Sequence, residues 1–481
     1  MKNFLKCILM GLVALFFQGC QTYYHANKEF NSAFERGDFE KCEQWLLANK
    51  PGKKSKNRFL YETNLGLIRF LRNEPIPSNQ SFEEAFLLVE DFQKKAGENV
   101  AALLTNPKRI TYQGERFEQL LINYFKAINQ LKINQPDLAL IECRRLVRKM
   151  NVLEDQGKKD KYNTDGFILW MMGNVFEAAG EANDAYIYYK KAHDAYQGNF
   201  GSVANVSEPQ QLKYDLLRMA NRNGFYAEAQ MYEAKLGIKD QKMDPGQGSV
   251  VLIWHKGLGP VKSEDRITLT LVKGVGGQFT FTNEDYGYSI PYFLPATEPS
   301  NRFDDLKIIT MALPKYQNRG SYYTDLKANV GSSTYSFQPA THLNDVARAD
   351  LKDRMGRELL NAVGRVAIKQ AIQYAATKGT EAALNDGKGT KEQKKKKEQQ
   401  ADLVSGLVNL GMTIANTATE VADTRNWQTL PESIEILRLN LPAGKQTIKL
   451  EGRSRDGKTF NQNLEIEVLP GATHFQTVHS F

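Results

Sequence analysis

Residues 166–197 constrain this chain more than any other stretch. They read GFILWMMGNVFEAAGEANDAYIYYKKAHDAYQ. Leu169, Met172, Gly173 and Phe176 share one face of a helix, and Ala185, Tyr189 and Ala192 share one face of a second. Glu177 to Glu181 is the turn between them. Gly173 and Ala185 remove side-chain bulk so that two antiparallel helices can approach, while Phe176 and Tyr189 fill the seam. A helix pair of this size cannot bury its apolar face alone, so similar pairs are expected on either side.

Other stretches carry the same pattern. Asn27–Leu47 has the turn Gly37-Asp38-Phe39-Glu40. Phe59–Phe92 has Gly66 and Ala85 in matching roles, with a longer inter-helix loop, Asn73–Ser81, that contains Pro75 and Pro77. Glu115–Met150 turns at Gln135-Pro136-Asp137 between Ala127 and Ala139, and Lys213–Leu236 turns at Gly224 before Ala229. A loop longer than standard is expected at Asn151–Thr164. These units resemble the tetratricopeptide repeat (TPR) family. The match at 166–197 covers the whole repeat, except that Gln197 stands where the family usually has proline. The resemblance implies a TPR-like α-solenoid over about residues 24–238 and a role in binding other proteins, commonly on the concave face.

Most aromatic residues in this array are expected to pack between repeats. Tyr186 is the exception: it lies on a different helix face from Ala185 and Tyr189, which marks it as a surface residue and a protein-binding anchor. Arg144, Arg145, Arg148 and Lys149 read as a solvated basic helix end. Cys42 and Cys143 occupy inward positions, where buried thiols that simply pack are the default.

Residues 1–20 read MKNFLKCILMGLVALFFQGC: a basic start, an apolar run too short for a comfortable bilayer span, and then Gly19-Cys20. This looks like a bacterial lipoprotein signal peptide, which implies acylation of Cys20, with palmitate among the chains, and a stable membrane anchor. Gln21 follows, where an Asp is associated with inner-membrane retention, so the resemblance favours the outer membrane facing the periplasm. Lys2 and Lys6 contribute two of the chain's +8 formal charges, and the remaining +6 is too mild and scattered to imply nucleic acid.

At 481 residues the chain exceeds one core, and its periodicity changes at Asp244-Pro245-Gly246. From about 247 to 340 it reads as a β-rich domain, with strands at Val250–Trp254, Ile267–Val272, Phe279–Phe281, Ser289–Phe293, Ile308–Leu313 and Tyr335–Gln338. Gly274 to Gly277 is a hairpin turn. A helical hairpin insertion is expected over 341–422, with helices at Asn344–Ala376 and Leu403–Val421. Its Lys-rich loop, 385–400, reads first as a solvated segment. The sharper reading of Lys394–Lys397 is contact with lipid headgroups or cell-wall polymer. Strands Ile434–Leu439, Thr447–Leu450, Leu464–Val468 and His474–Val478 complete the β region over 430–481, in the manner of a small β-sandwich-like module. The class is therefore α+β multidomain. The motif DTRNWQTLP at 423–431, with GLGPVK at 257–262 and ALP at 312–314, resembles an uncharacterised family of bacterial TPR lipoproteins; this implies location and architecture but no reaction. Asp423 and Arg425 read as a structural ion pair beside a buried Trp427.

The six histidines show no metal-ligand spacing, and no phosphate loop, nucleophile elbow or dinucleotide fingerprint occurs in a fitting context. No catalytic residue, cofactor or metal is nominated, and four cysteines are too few for a disulfide scaffold. The reading is a lipid-anchored periplasmic scaffold that binds protein partners through its array, in cell-envelope assembly or the regulation of peptidoglycan synthesis. Some penicillin-binding-protein activators look similar in plan. The alternative is an envelope enzyme or glycan-binding protein, whose mark would be a deep polar pocket between Trp254 and Phe337.

Overall fold

The computed structural model describes residues 22–49, 55–95, 110–155, 165–241, 243–273, 278–283, 288–293, 308–356, 358–359 and 421–481. Helices fill the N-terminal half and sheets the C-terminal half. After a short helix α1 (Tyr23–Ala26) come the hairpins α2 (Lys28–Glu35) with α3 (Phe39–Ala48), α4 (Arg58–Leu71) with α5 (Pro75–Lys95), and α6 (Arg116–Lys132) with α7 (Pro136–Asp155). The next is α8 (Gly166–Ala178) with α9 (Ala182–Gln197). The short α10 (Phe200–Ala204) then leads to α11 (Gln210–Arg222) with α12 (Tyr226–Leu236).

All five hairpins turn in the same way. Gly37, Asn73, Asn134, Gly180 and Gly224 each adopt the left-handed conformation just past the first helix. Each donates its N–H to the carbonyl three residues back, and the following N–H bonds the carbonyl five residues back, as in Glu181 to Phe176 and Glu74 to Arg69. That is the Schellman closure, which satisfies the last carbonyls of a helix in three residues. Asparagine tolerates the left-handed well almost as glycine does. The expected long loop Asn73–Ser81 is therefore absent, because α5 begins at Pro75. Pro75 and Pro77 sit in its first turn, where a missing N–H removes no helical bond. Close packing follows as expected: a Cβ on Gly173 would lie 2.5 Å from the Tyr189 ring, and one on Gly66 2.7 Å from Phe82.

Among the described residues three four-stranded sheets follow. The central one has the order β12 (Thr473–Ser480), β1 (Gln247–Lys256), β9 (Ser433–Pro442), β8 (Gln338–His342); β1 runs parallel to β12 and antiparallel to β9. Every residue of β1 from Gly248 to His255 is buried, because both faces are covered, and that is why Val250–Trp254 is a continuous apolar run. Val250, Leu252 and Trp254 meet Leu437, Leu439, Ile448 and Leu450. Val251, Ile253, Ile436 and Phe475 face the helices and join their core.

The second sheet has the order β11 (Thr459–Val468), β10 (Gly444–Ser454), β6 (Tyr323–Val330), β7 (Ser333–Ser336). The expected strand Tyr335–Gln338 is split between two sheets at the buried Phe337, and β6 was not foreseen, since only Leu326 and Ala328 of it point inward. The third sheet has the order β4 (Tyr288–Phe293), β3 (Gln278–Asn283), β2 (Val261–Lys273), β5 (Ile308–Gln317), with its own small core around Leu269, Phe281 and Met311. Residues 343–356 are helical. The rest of the expected helix to Ala376, the second helix Leu403–Val421 apart from its last residue, the turn Gly274–Gly277, the Lys-rich loop 385–400 and Cys20 lie outside the described residues, as does most of the expected loop Asn151–Thr164. Among the described residues no helix is long and apolar enough to cross a membrane.

Candidate functional site

The inner side of the helices is filled by the chain itself. Segment 421–432 has no regular structure, yet most of it is buried between α4, α6 and the sheets. Trp427 is 1% exposed, with its ring 5.8 Å from Phe82 and 5.7 Å from Phe125. Its backbone N–H donates to Glu118 Oε1 at 2.7 Å and its indole N–H to Thr429 Oγ1 at 2.9 Å. Thr429 in turn donates to Asn64 Oδ1 at 2.8 Å. Arg425 pairs with Asp423 at 2.7 Å, as expected, and Nη1 also donates to the Lys56 and Ile110 carbonyls at 3.1 and 2.9 Å.

Two buried charge networks tie the halves together. In the first, Glu115 accepts from Lys262 and, at 2.8 Å, from Arg354. Burial opposes the Glu115 charge, but Arg354 and Lys262 outweigh it and hold the carboxyl below its usual range. Glu118 accepts from Tyr112 at 2.8 Å; burial, and then the Glu115 charge, push its carboxyl up. In the second, Arg438 of β9 reaches Glu177 of α8 at 2.6 Å and Asp215 of α11 at 3.3 Å, while Arg218 contacts the same two carboxylates at 2.8 and 2.9 Å. A cavity of about 450 Å³ lies beside it, bordered by Asn134, Arg222 and Thr473. On β1, His255 Nε2 lies 2.9 Å from Tyr124 Oη and its ring stacks on His479 at 4.7 Å. Burial, helped by the Lys132 charge, brings His255 down to about 3, so it is neutral near pH 7.

The outer side is different. A groove of about 340 Å³ runs between α5 and α7 with α6 at its base. Its rim is aliphatic and exposed: Ile76 63%, Leu138 43%, Ile141 42% and Ile133 38%. Its floor is charged and paired. Lys126 bonds Glu83 and, at 2.9 Å, Glu142; Arg145 bonds Glu83 at 2.6 Å and Glu142 at 3.2 Å. Burial resists the charge on Glu83, but the bonds from Arg145 and Lys126 win and keep its carboxyl low. Gln130 Oε1, buried in the base, has no partner.

Several expected residues lie elsewhere than the sequence suggested. Tyr186 is 7% exposed and its ring packs on Phe225 at 5.1 Å. The reason is that α9 is gripped by α8 on one side and by the α11–α12 hairpin on the other, so both of its faces are covered. The basic end of α7 is solvated in part: Arg144 is exposed and Arg148 keeps 61% of its side chain in water while pairing with Glu90 of α5, whereas Arg145 pairs with Glu83 and Lys149 is buried. Cys42 and Cys143 are buried free thiols, as expected, and burial pushes the Cys42 thiol up to about 12. Trp254 and Phe337 themselves pack edge to face at 5.8 Å, and the stretch they bound contributes Leu258, Arg319, Ser321, Tyr322 and Tyr323 to a cavity of about 640 Å³. The groove rim escaped notice because Ile76 and Ile133 sit at hairpin turns, off the core stripes, where a single apolar residue carries no periodic signal.

Among the described residues no group of three or more His, Cys, Asp and Glu side chains is placed to hold a metal ion. No family model matches the chain, and no curated protein matches it.

Proposed function

We propose that this chain is a lipid-anchored periplasmic scaffold that docks a protein partner in the outer groove between α5 and α7. The observation that carries the reading is the exposed aliphatic rim of Ile76, Ile133, Leu138 and Ile141 around one concavity. Exposed apolar residues are ordinary when scattered, but a cluster rimming a groove marks an interaction surface. Each half-exposed aliphatic offers about 1 kcal/mol on full burial, so four select a face and leave affinity to the partner's fit.

The five identical Schellman hairpins support a TPR-like array, and the apolar cluster shared by the central and second sheets supports a sandwich-like pairing. TPR arrays commonly bind on the concave side. Here the central sheet and segment 421–432 cover the inner faces of α4 and α6, so the groove opposite is the surface left for a partner. The Gly19-Cys20 signal motivates the anchor and the outer-membrane, periplasm-facing location. By analogy of plan alone, the partner is a cell-envelope assembly factor such as a peptidoglycan synthase. The reading assigns no catalysis.

A photo-crosslinking residue at Ile76 or Ile141 in intact cells tests it. A discrete protein adduct that disappears with Leu138→Asp is the expected result. Adducts that persist with Leu138→Asp, or no adduct at either position, would remove the groove from consideration. Palmitate labelling of wild type but not Cys20→Ala tests the anchor separately.

A further inference from the structure

We infer that β11 is an interface strand: two copies of this chain pair β11 with β11, antiparallel about a two-fold axis, and join their second sheets into one. The proposal concerns the sheets and rests on neither the outer groove nor the anchor, so each can fail alone.

The hairpin that precedes β11 fixes which way its hydrogen bonds point. The Ser454 N–H donates to the Lys458 carbonyl at 2.9 Å, so these two residues are a hydrogen-bonded pair. Such pairs alternate along an antiparallel ladder. The ladder between β10 and β11 runs without a bulge from Arg453 opposite Thr459 to Gly444 opposite Val468. Even-numbered residues from Phe460 to Val468 therefore bond β10. Odd-numbered residues from Thr459 to Glu467 turn their N–H and C=O groups away from it. The side chains of that odd row are all exposed, and β11 is the last strand of its sheet. Among the described residues nothing bonds to the outward main-chain groups. Natural sheets blunt such edges with proline, short strands, bulges or a covering helix. Of the other edge strands, β4, β5 and β8 contain Pro291, Pro314 and Pro339, β7 has four residues, and β12 has α6 against it. β11 is ten residues long and has none of these devices.

The charges on the strand suit a second copy of itself. Antiparallel pairing centred on Asn463 sets Asn461 opposite Glu465, Thr459 opposite Glu467, and Asn463 opposite its own counterpart. Each carboxylate then meets an uncharged side chain that can donate, and no like charges face each other. The same register puts the whole outward row into hydrogen-bonded pairs, about ten main-chain bonds in all. On the inner face, Phe460 comes opposite Ile466 of the second copy. Phe460 and Leu464 are only half-buried at the margin of the core between the central and second sheets, and the added strand would extend that core over them.

The test is the mass of the full-length protein in detergent, measured by light scattering over a concentration series, together with three variants. A dimer is expected for wild type. The Asn463 N–H points outward, so Asn463→Pro removes a bond of the dimer and none from the ladder with β10. It should weaken dimerisation by about tenfold or more. Asn463→Cys should form a disulfide-linked dimer absent from wild type, because the two Cα atoms at the axis would lie about 5.5 Å apart. Glu467→Cys should not, because its two copies would lie about 27 Å apart. A monomer at every concentration up to about 100 μM overturns the proposal, as does unchanged dimerisation of a folded Asn463→Pro. Should Asn463→Pro fail to fold, the cysteine variants decide: linkage at 463 alone supports the strand pairing, and any other pattern, including the one expected if a different protein occupies this edge, overturns it.

Discussion

Arg438, Glu177, Asp215 and Arg218 form a four-membered network of alternating charge on the inner face of the helices, and Lys126, Glu83, Glu142 and Arg145 form another on the outer face. Their chemistry is nearly the same and their surroundings are not. The inner network joins a strand to two helices, and Asp215 is wholly out of water. The outer one joins helices alone, and Glu83 keeps 36% of its side chain in solvent. In the first, each charge depends on the others for its solvation; in the second, Lys126 and Glu142 are buried too, but water reaches Glu83 and Arg145 and can replace a partner lost there. Inner polar residues therefore hold the halves together, while the solvent edge of the outer network, at Arg145, can change at smaller cost to the fold.

The largest expected effect tests that contrast directly. Arg438→Met leaves Glu177 and Asp215 short of a cation and should cost about 3–5 kcal/mol in urea unfolding, whereas Arg145→Met should cost about 1 kcal/mol or less. Equal losses would break the comparison. Next comes pH. Asp165 caps α8 by accepting from the Ile168 N–H at 3.0 Å, yet burial raises its pKa to about 6. The folded state then holds the proton more tightly than the unfolded chain, so this contribution is full below about pH 4 and is lost as pH rises through about 6. Asp165→Asn keeps a capping oxygen and removes the titration. It should gain about 2–3 kcal/mol on wild type between pH 4 and pH 8; parallel stability–pH curves would refute the assignment.

Gly173→Ala should cost about 1–3 kcal/mol, because Tyr189 is pinned by its 2.8 Å bond to Glu177 and cannot swing aside. A neutral result would mean that α8 and α9 separate more easily than their contact suggests. Smallest of all, Ile76→Ser with Leu138→Ser should change stability by no more than about 0.5 kcal/mol while abolishing the crosslinked adduct. A sharp fall in melting temperature would show the rim to be part of the core.

What could be read from sequence was local. The Gly173–Tyr189 contact, the glycine turns at 37, 180 and 224, and the doubly covered strand Val250–Trp254 all leave periodic or compositional marks within a few residues. Asn73 played a glycine's part without a glycine's signal, and the two prolines after it suggested a loop where a helix begins. Tyr186 was misplaced because its second contact, Phe225, belongs to the next hairpin. The inner networks were illegible for the same reason on a larger scale. Glu115 meets Lys262, and Trp427 meets Phe82, across separations that no spacing rule spans. DTRNWQTLP stood out as a motif, but its role as a strut through the helical half depends on partners far away in sequence.

One further contact bears on how the molecule is made. The Phe481 ring lies 4.9 Å from Phe34 and 5.9 Å from Phe39, in the first helical hairpin, and β12 lines the edge of the central sheet beside β1. A chain delivered from its N-terminus must present that hairpin long before residues 473–481 arrive to cover it. Until then its aromatic face is open to water and to other chains. Maturation is thus set by the order of arrival: the earliest part to fold waits on the latest, and a chain cut short near residue 470 would keep its helices but leave an adhesive surface for proteases and chaperones to recognise.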